Sequence, residues 1–356
     1  MKMMNADERA PCIRLITSGF CTTVQDGGRS AFRHLGVPES GAVDLLALRT
    51  GNRLVGNADD TAGLEITLAG PQIEFRGNCV FALTGAPLAA EVIDQDGVRR
   101  AVPMNRPIAL RSGCQLITGA VIRGCRSYLT VAGGVEVPAV LGSRSTLLKS
   151  ALGDTASRPL AVGDVLPISS LQSTSESKPS SFHAVRESLL KSLDVNSCGF
   201  PNWHVQVADY SFGNETLRIL PGPHFLRLTS DAAQVLQSEL FEVRSDSDRM
   251  GCRLKGPVLQ QNSSDGIPSE AVLPGTLQLP ADGQILMLMA DCAPTGGYPQ
   301  IAHVIRADWS KMAQLRPGDR LRFRITTREE ARTAAARIEQ DLNRAVVMAG
   351  LNVGPA

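Results

Sequence analysis

No run of apolar residues in this 356-residue chain approaches the roughly 20 that a membrane-spanning helix needs. Charge of one sign is also missing. Lys and Arg total 36 against 35 Asp and Glu, a net charge of +1, so non-specific binding to nucleic acid or an anionic membrane has no electrostatic support. The eight cysteines (Cys12, Cys21, Cys79, Cys114, Cys125, Cys198, Cys252, Cys292) include no CxxC pair, which argues against zinc and a disulfide framework and for a reducing compartment. The five histidines (His34, His183, His204, His224, His303) lack metal spacing such as HExxH, so no metal site is expected. His303 reads as packed in an apolar helical pattern, and His224 follows a Pro-Gly-Pro turn. There is no GxxxxGK[ST] phosphate loop and no GxSxG nucleophile elbow. Residues 1–11 are polar and lack the apolar core of a secretory signal, so a cytoplasmic location is expected.

Glycine and proline are plentiful, 33 and 21 residues, and they punctuate short apolar or alternating runs. Such runs occupy 13–16, 64–68, 80–83, 128–131, 217–220, 284–289 and 320–325. Short strands closed by Gly/Pro turns predict a mainly β protein with a few helices, built as barrels or sandwiches. Helical spacing appears at 43–54, with Ser40 or Asp44 near its start, at 301–315, and at 328–348. The last of these opens on the capping box Thr327-Arg328-Glu329-Glu330. A weak repeat relates Gly163-Asp164-Val165-Leu166-Pro167-Ile168 to Gly318-Asp319-Arg320-Leu321-Arg322-Phe323, each a turn feeding a closing strand. The length suits two domains. They are placed at 12–168 and 203–325, with a Ser-rich linker or loop region over 169–202 and a C-terminal helix over 327–349.

Two polar glycine-rich regions carry the candidate chemistry. In the first, Gln25-Asp26-Gly27-Gly28-Arg29 follows a strand. Either its backbone N–H groups and Arg29 hold a carboxylate, with Asp26 orienting Arg29, or it is a tight turn with a structural ion pair. Ser40 before a helix either marks an anion site or is a plain cap. Ser143-Arg144-Ser145-Thr146 offers three hydroxyls and a guanidinium to phosphate or carboxylate, or forms a polar surface loop. In the second region, Ser247-Asp248-Arg249-Met250-Gly251 is partnered by Thr295-Gly296-Gly297-Tyr298-Pro299. Arg249 is the best single anion clamp, Tyr298 can hydrogen-bond a carbonyl, and the alternative is a turn with a buried Asp248–Arg249 pair. If that loop faces solvent, replacing Arg249 leaves the fold intact.

These blocks together resemble one family: the C subunits of bacterial ATP-dependent 5-oxoprolinase, related to the carboxyltransferase domain of urea carboxylase (allophanate hydrolase subunit 2-like). The blocks include 22–29, 36–44, Asn52-Arg53-Leu54-Val55-Gly56-Asn57, Leu64-Glu65-Ile66-Thr67-Leu68, 126–134, 141–146, 247–254 and 295–299. The chain departs from the family pattern at 152–158 and at 265–270. The resemblance implies tandem cyclophilin-like β-barrel domains. It also implies a hydrolase complex with a B-like (allophanate hydrolase subunit 1-like) subunit and an A-like lactam-utilisation subunit, which opens 5-oxoproline to glutamate. ATP would be bound by the complex, on a subunit the sequence does not identify. In that role Arg249, Arg29, Asp26 and Tyr298 would be catalytic. Gln25, Gly27, Gly28, Ser40, Ser143, Arg144, Ser145, Thr146, Ser247, Asp248, Thr295, Gly296 and Gly297 would bind substrate. Two alternatives follow from relatives. One is a carboxyltransferase acting on urea or a related amide, with biotin supplied by another protein. The other is a non-catalytic regulator that binds a kinase-inhibitor-like partner.

Overall fold

The computed structural model describes residues 11–148, 150, 157–169, 182–208, 210, 212, 214–263 and 265–351. The chain divides into two compact units. One comprises the described residues of Met1–Gly28, Leu45–Ala208 and Asp341–Ala356, and the other those of Arg29–Asp44 and Asp209–Gln340. Mainly β structure with few helices is what the alternating runs and frequent turns dictate, and it is what forms.

The first unit holds two six-stranded sheets. One contains Cys12–Thr17, Gln72–Arg76, Gln115–Val121 and Leu88–Ile93 as its inner strands; the other contains Pro107–Leu110, Cys79–Gly85, Arg126–Val131 and Gly63–Thr67. Alternation sends Ile13, Leu15, Ile73, Phe75 and Leu116 of one sheet and Val24, Leu64, Ile66, Phe81 and Leu129 of the other into one shared core. Cys79–Gly85 is buried along nearly its whole length. Its second face, with Val80 and Ala82, is covered by Leu54, Val55, Val185, Leu189 and Leu193 from helical segments. A strand buried on both faces reads as a continuous apolar run, as 80–83 does.

Part of the expected linker is ordered structure. Residues 170–181 lie outside the described residues, as do most of 152–158. Beyond them, Phe182–Ser192 is an α-helix, and Cys198–Gly199 adds a strand beside Pro107–Leu110. Val185 and Leu189 supply the apolar face that a Ser-rich average over 169–202 conceals.

The second unit is a closed seven-stranded barrel. Its first strand, Asn214–Pro221, lies parallel to its last, Arg320–Ile325, with Leu217 opposite Phe323. Leu217, Ile219, Leu254, Leu277, Met287, Leu321 and Phe323 fill it. The helix expected over 301–315 does not form as one element. Gln300–Val304 is a barrel strand, followed by a 3-10 turn at Arg306–Asp308 and a short helix at Trp309–Ala313. Ile301, Ala302 and Val304 satisfy helical spacing, but pairing with Asn214–Pro221 and Thr276–Gln278 claims their backbone groups. His303 is packed as expected, though on that strand; burial pushes its imidazole below the ordinary value.

The repeat is realised bond for bond. Gly163 N donates to Leu15 O at 2.9 Å while Leu15 N donates to Asp164 O at 3.0 Å; Gly318 N donates to Val243 O at 2.9 Å while Val243 N donates to Asp319 O at 2.9 Å. Both glycines sit at φ 89, the left-handed region that disfavours side chains. Each aspartate closes its own turn, accepting from Ala161 N or from Arg316 N. The C-terminal helix runs Arg328–Leu351 and opens on the reciprocal bonds of the capping box: Glu330 N to Thr327 Oγ1 and Thr327 N to Glu330 Oε2, each 3.1 Å.

Candidate functional site

The first glycine-rich region is a closed polar knot. Strand Cys21–Gln25 delivers Asp26, buried, to the 143–146 loop. Its carboxylate accepts from Gly28 N (2.8 Å), Ser143 Oγ (2.7 Å), Arg144 N (2.6 Å) and Ser145 Oγ. Gln25 Nε2 donates to Thr146 O at 3.0 Å, and Thr146 N donates to Val24 O at 2.8 Å. A carboxylate out of water needs donors, and the loop hydroxyls supply them. Ser143, Ser145 and Thr146 are therefore buried, and the expectation of hydroxyls open to an anionic ligand gives way to a loop folded around its own anion. Arg144 reaches back to Val137 O at 3.0 Å. Asp26 and Arg29 fall in different units; Arg29 is buried, and its backbone N donates to Glu39 O at 2.8 Å.

In the second unit Ser247 and Asp248 build a turn. Asp248 Oδ1 accepts from Met250 N and Gly251 N, and Ser247 Oγ accepts from Arg253 N. The turn aims Arg249 inward. Its guanidinium meets Asp291 through two bonds, 2.9 and 2.8 Å, and donates to Gly41 O at 2.7 Å, with Ser40 Oγ at 3.5 Å. Arg249 is 7% exposed and Asp291 2%, so the condition of a solvent-facing loop is not met, and the buried pair given as the alternative forms with Asp291 in place of Asp248. Sequence reasoning misses Asp291 because it stands 42 positions downstream. Its only signal is a lone acid ending the apolar run 285–290.

Thr295–Gly296 pairs with Glu270–Ala271 in a small two-stranded sheet. A Cβ at Gly296 would lie 2.5 Å from Gln278 Nε2, so a side chain there has to displace that amide. Gln278 is buried, and its amide reaches Tyr298 O at 3.5 Å. A cavity of about 460 Å³ is lined by Leu259, Gln261, Asp265, Leu279, Gly297 and Tyr298, among others. Tyr298 is half exposed, so its phenol is open to a ligand.

Beside it, Gln300 organises an acid and a base. Gln300 N donates to His224 Nδ1 at 3.2 Å, and His224 N donates to Gln300 O at 3.1 Å. Gln300 Nε2 donates to Ala271 O at 3.1 Å and to Glu270 Oε2 at 3.4 Å. His224 Nε2 stands 3.9 Å from that same carboxylate oxygen. Sequence reasoning names Thr295, Gly296, Gly297 and Tyr298 but not Gln278 or Gln300, which as single glutamines carry no motif, and it meets Glu270 only inside the 265–270 stretch that departs from the family pattern.

Among the described residues no group of three or more His, Cys, Asp or Glu is placed to hold a metal ion, and no helix is long and apolar enough to cross a membrane. The described residues include all eight cysteines, and no two of them form a disulfide. Burial pushes Cys198 and Cys292 to about 11 and Cys79 higher, so these thiols stay protonated near neutrality and are poor nucleophiles.

Residues 35–325 match the family described as carboxyltransferase domain, subdomain A and B. The chain is 37% identical over 319 residues to the 5-oxoprolinase C subunit of Escherichia coli K12, covering 90% of this chain and 93% of that protein. Against urea amidolyase of Saccharomyces cerevisiae it is 30% identical over 342 residues, 93% of this chain but only 18% of that protein. The crystal structure of Kluyveromyces lactis urea carboxylase superposes with a TM-score of 0.78 at 28% identity, over 94% of this chain and 29% of that one. The match over most of its length, joined to the β architecture, establishes that this chain belongs to the carboxyltransferase-domain family, subdomains A and B, which includes the 5-oxoprolinase C subunits.

Proposed function

We propose that this chain is the C subunit of an ATP-dependent 5-oxoprolinase, acting with A-like and B-like subunits to open the lactam of 5-oxoproline to glutamate. The observation that carries this reading is the end-to-end correspondence with the E. coli protein, 90% of one chain against 93% of the other. The cavity of the second unit suits a small polar molecule. Among the described residues, Asp265 is the one charged group in its lining. ATP supplies the driving force by making the amide oxygen a leaving group. This chain's residues would orient the amide and offer fixed donors to developing negative charge. The test is reconstitution. Purified chain plus its A-like and B-like partners should release glutamate from 5-oxoproline only with ATP, and omitting this chain should abolish release. Full release without it would overturn the reading.

A second reading, carboxyl transfer to urea or a related amide, draws on the urea amidolyase and urea carboxylase likeness. Biotin and its carboxylase would come from other proteins. The chain spans under a third of those relatives, so the correspondence covers one domain of a longer enzyme. Urea-dependent consumption of carboxybiotin by the same purified chain would favour it.

A further inference from the structure

Gln300 fixes both neighbours of one small gap. A backbone N–H has only a proton to offer, so the 3.2 Å contact from Gln300 N makes His224 Nδ1 an acceptor and places the ring proton on Nε2. That nitrogen is a donor, and it lies 3.9 Å from Glu270 Oε2, an acceptor held by the Gln300 amide. The separation is too long for a direct hydrogen bond. A donor and an acceptor side by side match the edge of a cis amide, in which C=O and N–H point the same way. A ring shorter than eight members enforces that geometry, whereas an open secondary amide is trans. Both side chains reach solvent, His224 at 18% and Glu270 at 43%.

Resting on the 5-oxoprolinase reading, we propose that His224 and Glu270 bind the cis-amide edge of a five-membered lactam: His224 Nε2–H donates to the carbonyl oxygen and Glu270 Oε2 accepts from the ring N–H. Gln300 is the positioning residue that sets the His224 tautomer and the direction of the carboxylate. A five-membered cyclic urea, open urea and a primary amide present the same edge, so the shared chemistry is a C=O and an N–H on one side of the amide, which open secondary amides lack. The pair rejects a ring methylated on nitrogen, because Glu270 then faces a methyl group.

The reconstituted complex supplies the first measurement. His224→Phe and Glu270→Ala should each raise KM for 5-oxoproline about five- to tenfold, the worth of one partly exposed hydrogen bond. For Glu270→Ala, partner binding and thermal melting should stay as in the unaltered chain, since Glu270 lies on a two-residue exposed strand; His224→Phe also takes the acceptor from Gln300 N, so a modest fall in melting temperature accompanies its change in KM. An unchanged KM in both variants overturns the proposal while leaving the function standing. The second measurement needs no turnover. In the purified chain, the His224 ring resonance, assigned by its loss in His224→Phe, should shift on titration with 2-pyrrolidinone and far less with N-methyl-2-pyrrolidinone. Equal shifts from the two overturn the pair's role. If the complex releases no glutamate yet the ring responds more strongly to 2-imidazolidinone than to the lactam, edge recognition stands and the 5-oxoprolinase reading falls.

Discussion

Arg249 and Asp291 meet as two parallel forks, joined at 2.9 and 2.8 Å and both buried. The same peptide stretches are also tied by Asp291 N to Arg249 O at 2.8 Å. Removing one partner strands the other charge away from water. Arg249→Ala should therefore cost about 3–5 kcal/mol of stability. Arg249→Lys keeps the charge but not the planar fork and should cost about 1–2 kcal/mol. Urea denaturation midpoints at unchanged m-value check both, and a variant as stable as the parent would refute the anchoring role.

Asp26 is the hub of the first unit's knot, with four donors on one carboxylate. Asp26→Ala leaves buried hydroxyls and amides without an acceptor and should destabilise by roughly 2–4 kcal/mol. Amide exchange at Gly28 and Arg144 should accelerate first, because both N–H groups end on that side chain. Protection unchanged at both amides would show that the loop does not depend on Asp26.

The two repeat aspartates should respond oppositely to pH. The Arg158 hydrogen bond holds Asp164 below its ordinary 3.8, against the opposing effect of burial. Its folded value is thus the lower one, so its contribution is present above pH 3.8 and is lost as pH falls through the folded value. Burial raises Asp319 above 3.8 despite Arg316. Its contribution is present below pH 3.8 and is lost as pH rises through the folded value. Asp164→Asn should be most harmful above that window, while Asp319→Asn should gain on the parent as pH rises. Thermal melts from pH 3 to about 7 decide this through the slope of each difference with pH.

Gly296→Ala should disturb the cavity around Tyr298 without unfolding the unit. The new methyl must displace the Gln278 amide, which sits 2.5 Å from the Cβ position, and with it the bond to Tyr298 O. The expected result is a changed Tyr298 environment by fluorescence or NMR with a melting temperature close to the parent. An unperturbed tyrosine would show that Gln278 swings aside at no consequence.

Period and punctuation made much of the architecture readable. The alternation at 217–220 and 320–325 announced the barrel strands, and Gly-Asp at 163–164 and 318–319 announced equivalent turns because only glycine suits that backbone. The 301–315 segment misled because the apolar run through Ile301, Ala302 and Val304 satisfies helical spacing while Ala302 and Val304 also fit a strand, and pairing partners far away in sequence decided between them. The candidate site was legible as chemistry but not as geometry. Ser143, Ser145 and Arg249 carry the groups of an anion site, yet what they meet is Asp26 and Asp291, and burial of those two acids is a property of the fold. His224, Glu270 and Gln300 come from three separate stretches and converge only when the barrel closes.

The parallel pairing of Asn214–Pro221 with Arg320–Ile325 also governs how this unit is born. The first strand leaves the ribosome with its place beside the last still empty, and it stays so until nearly all of the unit has been synthesised. Until then Leu217 and Ile219 line an unclosed sheet with a bare edge. Closure is a late, long-range event of the kind that slows folding. The nascent chain consequently has an interval of exposure to misassembly, and shielding of that edge during translation should raise the yield of folded protein.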